Sequence, residues 1–279
     1  MSAYKECPIA KIERLLLSTD GSKYCDGAIR EAVNLAKTCG SKLYAISVVE
    51  TNPEFEALAP GLVEKMERKT REHLEAVKSE ALKEGVDCAI IVHRGEEPHE
   101  CIVDEAAKNK VGMIIMGRYG RTGLARAMMG SVTAKVIGHT LCRILVVPKD
   151  AKLTFEKILI ATDGSMHSDF ASQEAIDIAK RSGSTLIALS VAKKDEDLPA
   201  AKEYVDIVKK VAEKEDIKVE ALIRKGIPHE VIVNTAAQED VGLIVVGSHG
   251  RTGITKLFMG SVTERVIGHT KCAVLVWKL

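Results

Sequence analysis

Two loops of this chain combine glycines and a serine at one fixed spacing, G-x2-G-x9-G-S. The motif residues are Gly117, Gly120, Gly130 and Ser131 in the first loop and Gly247, Gly250, Gly260 and Ser261 in the second. Each loop follows an apolar run and precedes a helical pattern, which predicts a strand, a loop and a helix in succession. Glycine lets the backbone approach a ligand, and the first N–H groups of a helix carry partial positive charge. The spacing therefore predicts a site for an anion such as phosphate.

A simpler interpretation is that the glycines only make turns and that each serine is an ordinary helix N-cap. Retention of all four positions in both copies favours phosphate binding instead. Thr133 and Thr263 add a hydroxyl group in the first turn of each helix. The loops are not Walker A sequences, because no lysine follows the last glycine, and the dinucleotide pattern G-x-G-x-x-G is missing after the first strand.

Arginines and lysines near the loops are candidates for the positive charge that a phosphate would need. They are Arg118, Arg121 and Arg126 in the first loop and Arg251 and Lys256 in the second. Solvated surface charge is the alternative for each, and we favour that alternative for Arg126 and Lys256.

Asp20 and Asp163 follow the first predicted strand of each copy, in the tetrapeptide T-D-G-S. A carboxylate at that edge of a sheet can accept a hydrogen bond from a ribose hydroxyl or an adenine amino group. It can equally cap the helix that follows. The sequence leaves both roles open.

The elements that carry these residues occur twice, because one domain has been duplicated. Gly247 lies 130 residues after Gly117, whereas Asp163 lies 143 residues after Asp20. The second copy therefore lacks 13 residues between its first strand and its glycine loop. We predict one domain over residues 1–150 and a second over 151–279.

Within each copy, apolar β-branched runs alternate with amphipathic helical stretches, a pattern typical of a parallel sheet covered on both faces. The pattern predicts two doubly wound α/β domains with five strands and four helices each. Helix 26–39 is predicted to end at Gly40 and its counterpart at Gly183. In such a fold the ligand crevice lies outside the carboxyl ends of the strands. The extra residues of the first copy fit best after its second strand, where they would border that crevice.

Composition excludes several classes of protein. Lys and Arg number 40 against 39 Asp and Glu, so no basic field suggests nucleic acid. The sequence has neither a run of about 18 apolar residues nor a hydrophobic signal core at its start, so we expect a cytoplasmic protein that does not bind membranes. Seven cysteines without a CxxC pair argue against a disulfide framework or a structural zinc site.

Taken together, these motifs resemble the universal stress protein family over nearly the whole chain, as two fused copies. The resemblance rests on T-D-G-S, on the Pro-His-Glu tripeptides at Pro98 and Pro228, and on the glycine loops followed by Val-Thr. It implies Rossmann-like domains of the adenine nucleotide alpha hydrolase-like type, each with a five-stranded parallel sheet of order 3-2-1-4-5. It also implies binding of ATP, or of ADP or AMP, with Mg²⁺ as an accompanying ion.

The resemblance implies nucleotide contacts at ten positions of each copy. These are Asp20, Val48, Met116, Gly117, Tyr119, Gly120, Gly130, Ser131, Val132 and Thr133 in the first, and Asp163, Val191, Val246, Gly247, His249, Gly250, Gly260, Ser261, Val262 and Thr263 in the second. Asp20 would contact the adenosine, the Val48 backbone the adenine, and the loop residues the ribose and phosphates. The chain departs from the family pattern at Ser18 and Ala161, where proline is frequent, and at Tyr119, where histidine is common.

The leading functional prediction is a nucleotide-dependent regulatory or protective stress module with two sites. The alternatives are a slow ATP hydrolase or phosphotransferase, and an interaction scaffold without ligand. Phosphoryl transfer needs a placed metal and a residue that orients the nucleophile. The sequence shows no Walker B carboxylate, and His249 is the one titratable residue beside a loop, so no catalytic residue and no metal site made by protein alone is assigned.

Two further expectations concern assembly and the extra segment. The last strands, RILVV and AVLVW, are apolar edges that invite pairing, so the copies should form an internal pseudo-dimer; self-association of the chain and its protein partners are left open. The extra segment contains Asn52, Pro53, Phe55, Leu58, Pro60 and Gly61. It is expected to fold over the adenosine, the alternative being that it packs only against its own helix.

Overall fold

A computed structural model describes residues 7–9, 12–120, 129–251 and 259–278. Its ten strands form one sheet. They are β1 (Arg14–Ser18), β2 (Lys42–Glu50), β3 (Cys88–Gly95), β4 (Met113–Gly117), β5 (Arg143–Val147), β6 (Lys157–Ala161), β7 (Thr185–Ala192), β8 (Val219–Lys225), β9 (Leu243–Gly247) and β10 (Ala273–Trp277). We call the chain through β5 the first half and the chain from β6 onward the second half.

The strand order across the sheet is β3-β2-β1-β4-β5-β10-β9-β6-β7-β8. Pairing is parallel within each half, and β5 pairs with β10 in antiparallel fashion, with Leu145 opposite Leu275. The expected pairing of the two last strands is thus confirmed. The prediction of two separate five-stranded sheets is wrong, because this pairing removes both apolar edges by making one sheet continuous.

Nine helices are present in the described residues. They are α1 (Asp26–Cys39), α2 (Pro53–Leu58), α3 (Pro60–Lys83), α4 (Pro98–Lys108), α5 (Ser131–His139), α6 (Met166–Ser182), α7 (Leu198–Lys214), α8 (Pro228–Gln238) and α9 (Ser261–His269). Helices α1 and α6 end, as predicted, at Gly40 (φ 63°) and Gly183 (φ 69°), where glycine adopts the left-handed conformation without steric cost. The prediction of four helices is wrong for the first half, since the extra segment folds as α2.

Alternation along the strands divides the apolar residues into two cores. Leu15 and Leu17 of β1 lie in the core that α1, α3, α6 and α7 cover. Leu16 lies in the core on the opposite face, under α4, α5, α8 and α9. Each core runs through both halves, so the helical layers continue across the junction of β5 and β10.

A buried connecting segment and a disulfide bond complete the fold. The segment from Pro148 to Glu156 connects the halves, and its residues Ala151 and Phe155 are buried. The predicted boundary near residue 150 falls in this segment and stays a prediction. Cys7 and Cys39 form a disulfide, although the cysteine pattern argued against a disulfide framework, because the N-terminal segment lies against the end of α1.

Among the residues that the structure describes, none of the helices has the length and apolar character needed to cross a membrane.

Candidate nucleotide site

The glycine loops leave the carboxyl ends of β4 and β9 and are fastened to the helices that follow. The N–H group of Gly130 donates to the carbonyl oxygen of Arg118 at 2.9 Å, and Thr133 Oγ1 donates to the carbonyl oxygen of Gly117 at 3.0 Å. The second half repeats both bonds, from Gly260 to Ser248 at 2.9 Å and from Thr263 to Gly247 at 2.8 Å. Each threonine hydroxyl therefore donates to its own loop backbone.

The first turns of α5 and α9 are not capped by serine, which was the alternative interpretation of the motif. The N-cap residues are Gly130 and Gly260, in extended conformation, and Ser131 and Ser261 are the first helical residues. Neither glycine has a side chain that could accept a hydrogen bond from the first N–H groups. Serine capping is therefore wrong, and the positive end of each helix carries no side-chain cap.

The aspartates bind backbone N–H groups at this edge of the sheet. Asp20 Oδ1 accepts a hydrogen bond from the N–H group of Ser22 at 2.9 Å. Asp163 accepts from the N–H groups of Ser165, at 3.1 Å, and Arg251, at 3.0 Å, so that its carboxylate bridges the T-D-G-S turn and the glycine loop. In each half the aspartate thus binds backbone, a role in addition to the two that the sequence left open.

The position of each aspartate explains one glycine of each loop. A Cβ atom on Gly120 would lie 2.8 Å from Asp20 Oδ2, and one on Gly250 would lie 2.6 Å from Asp163 Oδ2. Any other residue would push the carboxylate away. Neither glycine has positive φ, so the requirement is for close approach rather than for an unusual backbone conformation.

A cavity of about 820 Å³ opens at this edge of the first half. This volume is typical of small-molecule sites. All ten residues predicted for the first copy line it, from Asp20 and Val48 to Thr133. The structure therefore brings the first-copy residues together around one space; contact with a nucleotide stays a prediction.

Eleven lining residues were not predicted as site residues. They are Ser18, Thr19, Cys25, Glu50, Thr51, Asn52, Phe55, Met66, Glu96, Pro98 and Ile102. Two sequence signals point to some of them: Pro98 opens the Pro-His-Glu helix, and Asn52 and Phe55 belong to the extra segment. That segment borders the crevice, as expected, although Leu58 at its far end is 78% exposed.

The electrostatics of the cavity depend on its acidic residues. Asp20, Glu50 and Glu96 line it, and among its described lining residues there is no lysine or arginine. Burial, and then the nearby Asp20, raises the pKa of the Cys25 thiol to about 11, so Cys25 is a neutral thiol rather than a nucleophile. No group of three or more His, Cys, Asp or Glu side chains in the described ranges could hold a metal ion.

The candidate cations lie elsewhere or outside the described residues. Arg118 Nη1 donates to carbonyl oxygens at the end of α9 rather than lining the cavity. The guanidinium of Arg251 lies 5.8 Å from the centre of the Tyr204 ring. Arg121, Arg126 and Lys256 fall outside the described ranges.

In the second half, the bonds of Gly247, Gly260 and Thr263 repeat those of the first, and Gly250 lies against Asp163. Val191 and Val246 lie near the carboxyl ends of β7 and β9, and Ser261 and Val262 lie in the first turn of α9. Contact of these residues with a nucleotide stays a prediction.

The two halves differ in the pair of rings beside the loop. His249 and His167 have ring centroids 5.0 Å apart, and the Nδ1 atom of each lies within 3.2 Å of Ser248 Oγ. Burial, and then His249, lowers the pKa of His167. The first half has Tyr119 edge-on to Tyr24 in this place, at 6.2 Å.

Comparison with known proteins gives one family. The profile described as the universal stress protein family matches residues 11–148 and 154–278. A universal stress protein of Synechocystis sp. is 26% identical, covering 96% of this chain and all of that protein. One of Mycolicibacterium smegmatis is 25% identical, covering 94% and 96%, and one of Methanocaldococcus jannaschii is 35% identical over half of this chain and 84% of its own length.

Among solved structures, a universal stress protein from Archaeoglobus fulgidus superposes with a TM-score of 0.77. The alignment covers 95% of this chain and 98% of that one, at 22% identity. The overall fold, with both halves, is therefore shared.

Proposed function

Because this chain belongs to the universal stress protein family, we propose that it is a stress-response protein that binds an adenine nucleotide in each half. The observation that carries the proposal is the cavity of the first half. It joins the ten predicted positions, and beside it lies the N-terminus of α5, which has no side-chain cap. A helix end of this kind favours phosphate through its N–H groups and its dipole.

The lining divides into parts that suit the parts of a nucleotide. Val48, Ile102 and Met116 offer an apolar wall for the base. Gly117 to Gly120, together with the first turn of α5, offer backbone N–H groups for the phosphates. Asp20 lines the same cavity and would accept a hydrogen bond from the ribose. Mg²⁺ bound with ATP would offset the repulsion between the phosphates and the carboxylates of the lining.

We propose a binding module with slow turnover at most. Two titratable candidates near the loops are poorly suited to activate a nucleophile. Cys25 is held as a thiol by its raised pKa. His249 is buried, and its Nδ1 atom contacts Ser248. Binding alone can regulate a protein, since a ligand at a hundredfold excess over its Kd stabilises the folded state by about 2.7 kcal/mol.

The test is nucleotide content followed by titration. Freshly purified protein is denatured, and the released small molecules are identified by mass spectrometry. Isothermal titration then measures ATP, ADP and AMP with and without Mg²⁺, and we expect micromolar binding, about −8 kcal/mol. The proposal is refuted if the protein releases no nucleotide and if millimolar nucleotide also causes no shift of its thermal unfolding. Steady-state phosphate release at the ~1–100 s⁻¹ of kinases would instead favour the enzyme.

Variants that disable one site at a time show which half of the molecule binds nucleotide. Gly130→Val and Gly260→Val each place a branched side chain where the loop meets the helix. A Cβ atom on Gly130 would already lie 3.3 Å from the carbonyl oxygen of Arg118, and one on Gly260 would lie 3.4 Å from that of Ser248. Each variant should lose one binding event and keep the other. Loss of neither event would place the nucleotide elsewhere.

A further inference from the structure

The carboxyl end of α9 is held by a cation from the opposite half of the molecule. Arg118, which follows β4 in the first half, donates through Nη1 to the carbonyl oxygens of Ile267, Gly268 and Thr270, at 3.3, 3.0 and 2.8 Å. The last carbonyl groups of a helix have no partner within the helix. One guanidinium therefore supplies hydrogen bonds and positive charge to the negative end of α9.

The carboxyl end of α5 receives the reciprocal contact. Lys278, directly after β10 of the second half, donates through Nζ to the carbonyl oxygen of Gly138 at 3.1 Å. The chain just before it is also tied to the second glycine loop, because the N–H group of Ser248 donates to the carbonyl oxygen of Trp277 at 3.0 Å. Each of the two helices thus ends against a cation that the other half provides.

This reciprocity is not inherited from the duplicated sequence. At the offset of the glycine loops, the counterpart of Arg118 is Ser248 and the counterpart of Lys278 is Pro148. The two cations occupy different positions in their halves and differ in chemistry, yet they reach equivalent helix ends. In contrast, His139 and His269 contact the carbonyl oxygens of Lys135 and Arg265 in the same way in both halves. These two histidines therefore follow the duplication and do not distinguish one half from the other.

We propose that Arg118 is a positioning residue for the nucleotide site of the second half and that Lys278 is one for the site of the first half. The inference rests on the proposed function, in which phosphate lies at the amino ends of α5 and α9. These helices have only nine residues each. A cation bonded to the carboxyl end fixes the helix along its axis, and it thereby fixes the position of the first N–H groups, which the phosphate would meet at the amino end.

The proposal predicts a crossed pattern of effects, which we test in single-site backgrounds. The background Gly260→Val keeps the first site, and Gly130→Val keeps the second. Arg118→Gln should weaken ATP binding about two- to fivefold at the second site. At the first site the loss of affinity should be smaller than at the second, because among the described residues there the Arg118 guanidinium contacts only the Tyr119 ring, at 4.9 Å from its centre. Lys278→Gln should do the reverse, and isothermal titration measures all four combinations.

Conservative and charge-matched variants exclude simpler explanations. Arg118→Lys and Lys278→Arg keep the cation and should restore most of the affinity. Lys271→Gln removes an exposed positive charge two residues after α9 and should leave both affinities unchanged. Equal losses at both sites would indicate general destabilisation, and a loss confined to the first site would show that Arg118 serves its own loop. Either outcome, or no change at all, overturns the proposal.

A second measurement separates failure of this inference from failure of the proposed function. Hydrogen exchange of the α9 amides should quicken in Arg118→Gln, and that of the α5 amides in Lys278→Gln, with no nucleotide present. If the parent protein binds no adenine nucleotide, the proposed function fails and the site assignment fails with it. Crossed hydrogen exchange would then still identify the cations as helix anchors, whereas unchanged exchange would remove that role too.

Discussion

Asp163 shows how far a single residue can be understood from the sequence. Its place after a strand, in T-D-G-S, marked it as functional but left two roles open, ligand contact and helix capping. The structure adds a contact with the backbone of Arg251, 88 residues further along the chain. Neither residue type nor local spacing predicts a contact between residues so far apart in the sequence. A sequence-based argument could therefore identify Asp163 as functional but could not identify this partner.

Asp163→Asn tests the bridge. A carboxylate accepts with both oxygens, whereas an amide offers one acceptor and would turn its NH₂ group toward one of the two backbone donors. We expect the free energy of unfolding to fall by about 1–2 kcal/mol and binding at the second site to weaken. Urea denaturation measures the first effect, with exposed Asp150→Asn as the control. Equal stability of the two variants would contradict the bridge.

At the scale of elements, the extra segment was located by the offset between the copies, but its helix was not predicted. Its start is nevertheless regular: Asn52 Oδ1 accepts a hydrogen bond from the N–H group of Phe55 at 2.7 Å, and Pro53 is the first helical residue. Asparagine at the cap and proline after it are typical helix starts. The six residues of α2 carry too few apolar positions to show a helical period.

Phe55 and Leu58 lie on the same short helix and provide a matched pair. Phe55 lines the cavity, whereas Leu58 is 78% exposed. In the Gly260→Val background, Phe55→Ala should weaken nucleotide binding by on the order of 1 kcal/mol, because less apolar surface is covered. Leu58→Ala should leave the affinity unchanged in isothermal titration. Equal effects of the two substitutions would show that α2 packs only against α3.

The folding stability of the protein depends on pH through histidines at two helix contacts, α4 with α5 and α8 with α9. His99 and His229 face His139 and His269 at 4.9 and 5.8 Å. Burial lowers the pKa of both His99 and His229 from 6.5. The positive charge of Lys135 lowers the pKa of His99 further, and that of Arg265 does the same for His229. The unfolded chain therefore binds protons at a higher pH than the folded chain does. Stability is lost as pH falls through 6.5 toward the lowered values.

The double variant His99→Gln and His229→Gln removes these two groups. Its free energy of unfolding should change less steeply between pH 7 and 5.5 than that of the parent, as measured by urea denaturation at each pH. His167 keeps part of the slope, because its pKa is lowered too. Above pH 7.5 the parent and the variant should run parallel, since the histidines are neutral in both states. An unchanged slope at low pH would refute the assignment.

At the scale of the whole molecule, the sequence sufficed for the duplication, the strands of each half and the pairing of their last edges. It did not suffice for the direction and register of that pairing, which is antiparallel with Leu145 opposite Leu275, because these two residues lie over a hundred positions apart. Nor did it predict the disulfide, because Cys7 and Cys39 are 32 positions apart and meet only when the N-terminal segment returns to the end of α1. Contacts between distant segments were missed where no repeat or pattern marked them.

The junction of the halves also contains an ion pair that no sequence pattern indicates. Arg143 of β5 contacts Glu174 of α6 at 2.6 Å between Nη1 and Oε1, and their side chains are 19% and 7% exposed. The guanidinium also lies 5.6 Å from the centre of the Trp277 ring in β10. Burial raises the pKa of Glu174, although Arg143 acts in the opposite direction. Arg143 therefore compensates a carboxylate that the fold has largely removed from water.

Arg143→Met should lower the free energy of unfolding by about 3 kcal/mol, because it leaves the Glu174 charge buried without a partner. The pKa of Glu174 would rise further, so the loss should be greatest near neutral pH and shrink as pH falls and the carboxyl group takes up a proton. Arg143→Met combined with Glu174→Met should recover most of the loss. The exposed pair Lys180 and Glu215 is the control, where Lys180→Met should cost less than about 1 kcal/mol. If Arg143→Met costs no more than that control in urea denaturation, the ion pair does not stabilise the junction between the halves.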